Sequence, residues 1–222
     1  PGLLKELLKN ITLRDLIRRD TIFHARKKFK RRAQLEAKYL HQINNVIGRT
    51  SWDYVQCKLI NPNINYFFCN ETLRTEFYES NWDINKINRH SIFIVQACYP
   101  IKGIHMLFKA ANILKSEFPD LRIYIAGKDL ISIRSFRQRI TTLGYAKYLR
   151  LLIKKYQLKD YLTFTGELNA SEMAGYYQNS HVFVCPSSIE NSPNSLCEAQ
   201  LTGTPVVASF VGGIPDLVIH NE

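Results

Sequence analysis

From residue 91 onward, short apolar runs alternate with longer amphipathic stretches. Ile92-Phe-Ile-Val95, Leu121-Arg-Ile-Tyr-Ile-Ala126, Leu162-Thr-Phe-Thr165, residues 182–185 and Val206-Val-Ala208 read as strands. Residues 104–118 repeat their apolar positions at helical spacing. Residues 133–156 are largely helical with a break near Gly144. A further helix is expected over 171–178, with Ser171 as its N-cap. Strands this short, alternating with helices, predict a parallel sheet covered on both faces. The predicted fold class is therefore α/β, a Rossmann-like parallel sheet with helices on both faces. Ligands of such sheets bind beyond the carboxyl ends of the strands. Gly127, Gly166, Glu190 and Gly212 each follow a strand, and so are expected to share one rim.

The first 90 residues follow a different pattern. Leu4, Leu7, Leu8 and Ile11 recur at helical spacing, as do Leu13, Leu16 and Ile17. Thr12 with Asp15 forms a helix-start signal, because a threonine hydroxyl accepts early backbone N–H groups. Phe29, Leu35 and Leu40 mark a third amphipathic stretch. Asn45-Val-Ile-Gly48 and Tyr66-Phe-Phe-Cys69 are expected strands. Residues 51–60 form a helix between them, stopped by Asn61-Pro62, and a polar, aromatic linker spans 78–89.

Composition narrows the class. The chain has 222 residues and is 45% hydrophobic, enough for one large domain or two small ones. No run of 18 apolar residues is present, so no membrane span is expected. Five scattered cysteines without a C-x-x-C pair argue against a disulfide framework or a zinc site, and fit a reducing cytoplasm. Three sit in apolar runs and are expected to be buried. The six histidines show no metal-ligand spacing. The net charge is +11, and residues 1–58 hold most of it, with 14 Lys/Arg against 5 Asp/Glu. That balance suits an anionic partner. Residues 14–32 are basic enough for a peripheral contact with an anionic membrane, and no nucleic-acid-binding motif is present.

The densest candidate chemistry is Glu190-Asn-Ser-Pro-Asn-Ser-Leu-Cys-Glu198. A helix starting near Pro193 or Asn194 presents unsatisfied N–H groups and a positive dipole end, which favour a diphosphate. Glu190 lies just before that start, where a sugar on the diphosphate would sit. Glu198 lies about one turn inside, placed to accept hydrogen bonds from ribose hydroxyls.

The stretch Pro186-Ser-Ser-Ile-Glu-Asn-Ser-Pro-Asn-Ser-Leu-Cys-Glu-Ala-Gln-Leu-Thr-Gly-Thr-Pro-Val-Val-Ala208, continued by Gly212-Gly-Ile-Pro-Asp216, resembles the signature of family 4 glycosyltransferases. The resemblance extends back over Tyr99-Pro-Ile-Lys-Gly103, Tyr124-Ile-Ala-Gly127 and Thr163-Phe-Thr-Gly166. These are retaining enzymes of the two-domain GT-B fold. It implies that 85–222 is the nucleotide-sugar-binding domain, truncated at its C-terminus. Residues 1–80 would be a helical, basic remnant of the acceptor domain. There, Val46-Ile-Gly-Arg-Thr-Ser-Trp-Asp53 and Asn70-Glu-Thr-Leu-Arg74 resemble that domain's end and the crossover. The chain is thus expected to be a piece of a longer protein.

By the same resemblance, Glu190 and Lys102 are catalytic, Glu190 at the donor sugar and Lys102 on the diphosphate. Glu198 would hold the ribose, and Asn191, Ser192, Asn194 and Ser195 the phosphates. Gly127, Thr165 and Gly166 would lie by the rest of the donor. The implied substrates are a nucleoside diphosphate sugar and a glycan or lipid-linked acceptor, with no metal required and no nucleic-acid partner. Two departures stand out. Ala97 occupies the place of an arginine that the family sets five residues before the lysine, so that Lys128 or Arg49 substitutes or the donor binds differently. Asp216 replaces a commoner glutamate. A non-catalytic nucleotide- or sugar-binding module and a basic peripheral membrane-associated protein are the competing readings.

Overall fold

A computed structural model describes residues 2–95, 99–129, 131–132 and 143–219. Ala97, Cys98, His220 and residues 133–142 of the helical stretch expected over 133–156 lie outside the described residues.

The predicted α/β architecture is present. Strands β3 (Asn88–Val95), β4 (Arg122–Ala126), β5 (Leu162–Gly166), β6 (Ser180–Cys185) and β7 (Val206–Ala208) form one sheet in the order β5-β4-β3-β6-β7. All neighbouring pairs are parallel. The chain moves outward from β3 through β4 to β5, then returns to the other side of β3 with β6. The switch point therefore falls between β3 and β6, where a crevice opens beyond the strand ends.

Side chains alternate across the central strand. Ile92 and Ile94 face a core with Leu107, Phe108, Ile123, Ile125 and Leu149. Phe93 faces a second core with Phe77, Tyr177, Phe183 and Leu196. This period of two is why the strands read as apolar without alternation: both faces are covered.

Helices α1 (Gly2–Lys9), α2 (Leu13–Ile17), α3 (Ile22–Leu40), α4 (Ser51–Ile60) and α5 (Thr75–Tyr78) occupy the first third of the chain. A two-stranded parallel sheet pairs β1 (Asn45–Gly48) with β2 (Asn65–Phe68) around α4. The later helices are α6 (Ile104–Glu117), α7 (Gly144–Lys155), α8 (Ala170–Asn179) and α9 (Asn194–Leu201).

The Thr12–Asp15 start signal forms a full capping box on α2. Asp15 does more than the sequence shows. Its buried carboxylate also accepts from Gly144 N at 2.9 Å, capping α7 from 129 residues away. The α7 cap position, Leu143, makes no side-chain cap of its own. Leu3 and Leu7 pack against the first core, so the opening helix lies on the large sheet's unit.

Four local expectations are corrected. The α8 cap is Asn169, in a reciprocal box with Glu172, so Ser171 already lies inside the helix. By contrast, α9 begins at Asn194, as expected, with Pro193 just before it. The inward face of α1 is Leu3 and Leu7, with Leu4 and Leu8 exposed. Leu13, Leu16, Ile17, Phe29 and Leu35 are exposed, and α3 buries no residue. Periodicity defines an apolar stripe, but nothing in it supplies the surface that would cover the stripe. Of the four described cysteines, Cys185 alone is buried.

His105 is buried on α6, with Nδ1 3.1 Å from Tyr145 OH. Burial, reinforced by Lys109, pushes its pKa from 6.5 down to about 4. Between those values the unfolded chain binds more protons than the folded one. Stability from this site is therefore complete above about pH 6.5 and is lost as pH falls toward 4. We expect unfolding free energies from urea titration to fall across that window, as pH is lowered, by up to about 1.4 kcal/mol per pH unit. His105→Leu should flatten the slope. An unchanged slope in that variant would assign the pH dependence elsewhere.

Candidate functional site

Beyond the carboxyl ends of the central strands lies an open cleft of about 660 Å³. Its floor is Val95 and Ala126-Gly127. One wall is the start of α9 with Ser192, Asn194, Ser195 and Glu198. Another is the crossover segment from Glu71 to Arg74, and Glu167-Leu168 closes the side beyond β5.

Two close backbone approaches set the position of Glu190. Gly103 has φ +75°, and a Cβ there would lie 1.9 Å from the Pro186 carbonyl oxygen. With Ser188 N donating to Ile101 O at 2.8 Å, this zips the turn carrying Lys102 to the loop carrying Glu190. Gly212 has φ +56°, and its Cβ would fall 1.8 Å from the Glu190 carbonyl oxygen. Gly213 N donates to that same oxygen at 3.0 Å. Only glycine meets both demands, a left-handed backbone and no side chain.

The result is two cation–carboxylate pairs beside one helix start. Lys102 Nζ lies 2.5 Å from Glu190 Oε1, which also accepts from Ser187 Oγ at 2.8 Å. Glu198, 7% exposed, accepts from an Arg74 guanidinium nitrogen at 3.2 Å on Oε1. Its Oε2 lies 3.0 Å from Tyr177 OH, which is equally near the Ser195 carbonyl oxygen. Burial, reinforced by the Glu198 charge and hydrogen bond, pushes the Tyr177 phenol well above its ordinary range, so it remains a donor. No side chain caps α9. Its positive end faces the cleft with these two pairs on either side.

The first third of the chain braces this loop. Both terminal nitrogens of Arg49 donate to Asn194 Oδ1 at 3.1 Å, and one pairs with Glu71 at 2.7 Å. Asn191 accepts from the Thr50 hydroxyl and donates to Asp53 at 2.7 Å. Asp216 accepts from the backbone N–H of Ser51 and, at 2.7 Å, from its hydroxyl. Burial pushes Asp53 up. The bonds from Tyr66, Asn191 and the N–H groups of Arg49 and Thr50 outweigh it and hold the carboxyl below its ordinary range.

Of the residues singled out from sequence, Lys102, Gly127, Ser192, Asn194, Ser195 and Glu198 line the cleft. Glu190 adjoins it through Lys102. The Asn191 side chain instead turns to Thr50 and Asp53. Thr165 directs its hydroxyl to backbone carbonyls, and Gly166 binds Gly127 N at 2.7 Å, so both stand just behind the wall that Glu167 and Leu168 form. Sequence reasoning missed Arg74 and Tyr177. Arg74 closed the quoted crossover motif, a position without chemical meaning until Glu198 is beside it. Among the described residues no group of three or more His, Cys, Asp or Glu side chains gathers as if to hold a metal ion. No helix among them is long and apolar enough to cross a membrane.

A doubly wound parallel sheet with its open crevice at the switch point defines a Rossmann-like ligand-binding domain. Residues 79–222 match the family model described as glycosyl transferases group 1, and the chain belongs to that family. A D-inositol 3-phosphate glycosyltransferase from Arthrobacter sp. (strain FB24) is 36% identical over 124 residues, which cover 55% of this chain and 27% of the relative. The chain spans about a quarter of the length of the relatives it matches. Among solved structures, sucrose-phosphate synthase from Thermosynechococcus elongatus aligns with a TM-score of 0.68 at 23% identity, covering 86% of this chain and 46% of the other. S. aureus TarM, in a complex with fondaparinux, α-GlcNAc-glycerol and UDP, aligns with a TM-score of 0.65 at 17% identity, covering 85% and 34%. These two likenesses establish the fold.

The close approach at Gly212 yields a paired prediction. Gly212→Ala should destabilise by about 2 kcal/mol or more, from left-handed strain plus a backbone clash. Gly175, inside α8 with open space around it, is the control. Gly175→Ala should stabilise by about 0.5–1 kcal/mol. Chemical denaturation of both variants checks this; equal effects would remove the case for a special backbone at 212.

Proposed function

We propose that this chain forms the donor half of a retaining family 4 glycosyltransferase that uses a nucleoside diphosphate sugar. The observation that carries the reading is the pair of ion pairs, Lys102–Glu190 and Arg74–Glu198, at the uncapped start of α9. The diphosphate lies at that helix end, where N–H groups and dipole favour an anion. Lys102 neutralises charge on the departing diphosphate, the kind of preorganised electrostatic help that counts most in a water-poor site. Glu198 accepts from the ribose, Glu190 from the donor sugar beside the reacting carbon, and the base extends toward Gly127 and Thr165-Gly166. The family match and the UDP in the TarM structure support this assignment.

Retention without an enzyme nucleophile implies attack from the face that the leaving group vacates. The acceptor oxygen bonds to the anomeric carbon, the bond to the diphosphate breaks, and the acceptor proton passes to the departing phosphate oxygen. The reading calls for no metal, because Lys102 and the helix end supply positive charge. A glycan or lipid-linked acceptor fits a chain whose basic segment at 14–32 exposes Leu16, Ile17, Phe23 and Phe29. The same segment would give a peripheral contact with an anionic membrane.

Calorimetric titration of the protein with UDP, GDP and ADP, free and as sugar conjugates, tests the donor site. One nucleotide should bind selectively, and Glu198→Ala should weaken it at least tenfold, about 1.4 kcal/mol. Glu190→Gln should leave that affinity within a few-fold while lowering turnover by about 100-fold in a longer chain that includes the acceptor half. Unchanged binding in Glu198→Ala would remove the ribose assignment. The donor half alone is expected to bind with little or no turnover; binding without turnover by a longer chain that includes the acceptor half would favour a non-catalytic module.

A further inference from the structure

The donor reading gives one lysine and a helix end the whole charge of a diphosphate, although a helix end is worth only about half an elementary charge. A second cation lines the cleft. Arg74 stands at the end of the crossover segment, immediately before α5. Its guanidinium carbon lies 5.0 Å over the ring of Phe77, which is fully buried in the second core. The flat group therefore rests on a fixed platform, yet its side chain is 52% exposed toward the cleft. Its partner is Glu198 Oε1 at 3.2 Å.

Glu198 has one oxygen held by Tyr177, a buried phenol that stays protonated. Oε1 is thus the oxygen a ribose hydroxyl would take, and Arg74 donates to it. Arg49, the other arginine close by, is already committed: it pairs with Glu71 and grips Asn194 through both terminal nitrogens. It braces the wall, whereas Arg74 holds a group that an incoming nucleotide would claim.

We propose that Arg74 is the second diphosphate-binding cation of this cleft. A ribose settling on Glu198 releases the guanidinium, which stays over Phe77 and turns its donor fork onto the phosphates, a geometry that suits arginine better than lysine. Donor binding is then an exchange of partners: ribose hydroxyls take the carboxylate, and phosphate takes the cation that had screened it. The chain carries Ala97 where the family resemblance sets an arginine, and Arg74 supplies that charge from a different segment. This inference rests on the donor-site reading.

The test compares nucleosides with their diphosphates on the protein and on Arg74→Gln and Arg74→Lys. The probes are uridine, guanosine and adenosine and the 5′-diphosphate of each, titrated by calorimetry, with thermal unfolding to confirm that each variant is folded. In Arg74→Gln the diphosphate should lose at least tenfold in affinity, while the nucleoside keeps its affinity or gains, having no guanidinium to displace. Arg74→Lys should recover part of the loss and none of it in high salt. If nucleoside and diphosphate weaken by the same factor, Arg74 merely orients Glu198 and the proposal is overturned. No loss for either ligand overturns it equally. If the unaltered protein binds none of the six probes, or Glu198→Ala changes nothing, the donor reading itself fails and takes the role of Arg74 with it.

Discussion

Two carboxylates separated by seven residues, both largely withdrawn from water, have to be given partners, and that requirement organises the rest of the molecule. A buried carboxylate without a cation or a set of donors costs several kcal/mol (roughly 3–5 when a partner is removed). Glu190 obtains Lys102 from the turn after β3, and Glu198 obtains Arg74 from the crossover and Tyr177 from α8. Each partner arrives from a different strand–helix unit. The sheet order that makes β3 and β6 neighbours is what lets Lys102 reach Glu190 across 88 residues of chain. The glycines at 103 and 212 are the backbone cost of that meeting, because a side chain at either would hold the two loops apart.

The same loop is gripped from its other side by the small unit built on β1, α4 and β2. Arg49, Thr50 and Ser51 stand in a row at the start of α4 and reach Asn194, Asn191 and Asp216 in turn. Asp53 ties the row together by accepting from Tyr66 and Asn191 while it caps its own helix. The candidate site is therefore held between two units, one supplying the floor and the helix end, the other the crossover wall and the struts behind it. A side chain such as Asn191, which the motif places near phosphate, is in this arrangement a joint between the two.

Much of the large sheet was legible, since runs such as Ile92-Phe-Ile-Val95 and Leu121-Arg-Ile-Tyr-Ile-Ala126 bury both faces and so carry their own signal. The helix starts were nearly as clear: Thr12 with Asp15 was read correctly. Asn169 with Glu172 offered the same three-residue spacing and was passed over for Ser171. The loop from Glu190 to Glu198 was legible because its chemistry is local, a helix end between two acids. What stayed hidden was set by tertiary contact. Asp15 caps a helix 129 residues on, and Arg74 meets Glu198 across 124. Neither distance leaves a trace in spacing. The exposed faces of α2 and α3 were misjudged for the opposite reason, as their periodicity promised a partner surface that no described residue provides.

The strand order also has a kinetic side. The strand at the centre of the sheet, β3, cannot be flanked on both edges until β6 exists, and Ser91 meets His181 across 90 residues. At about 5–20 residues per second of synthesis, that leaves roughly 5–20 s in which one edge of the central strand waits without its neighbour. Long-range parallel pairing is slow in any case, since loop closure must precede the contacts that reward it. Nascent chains of this protein should thus pass through a stage at which an open β3 edge is a target for chaperones or for other unfinished copies. The polar Asn88-Arg-His90 at its entry is then a solubilising guard as much as a start of the strand.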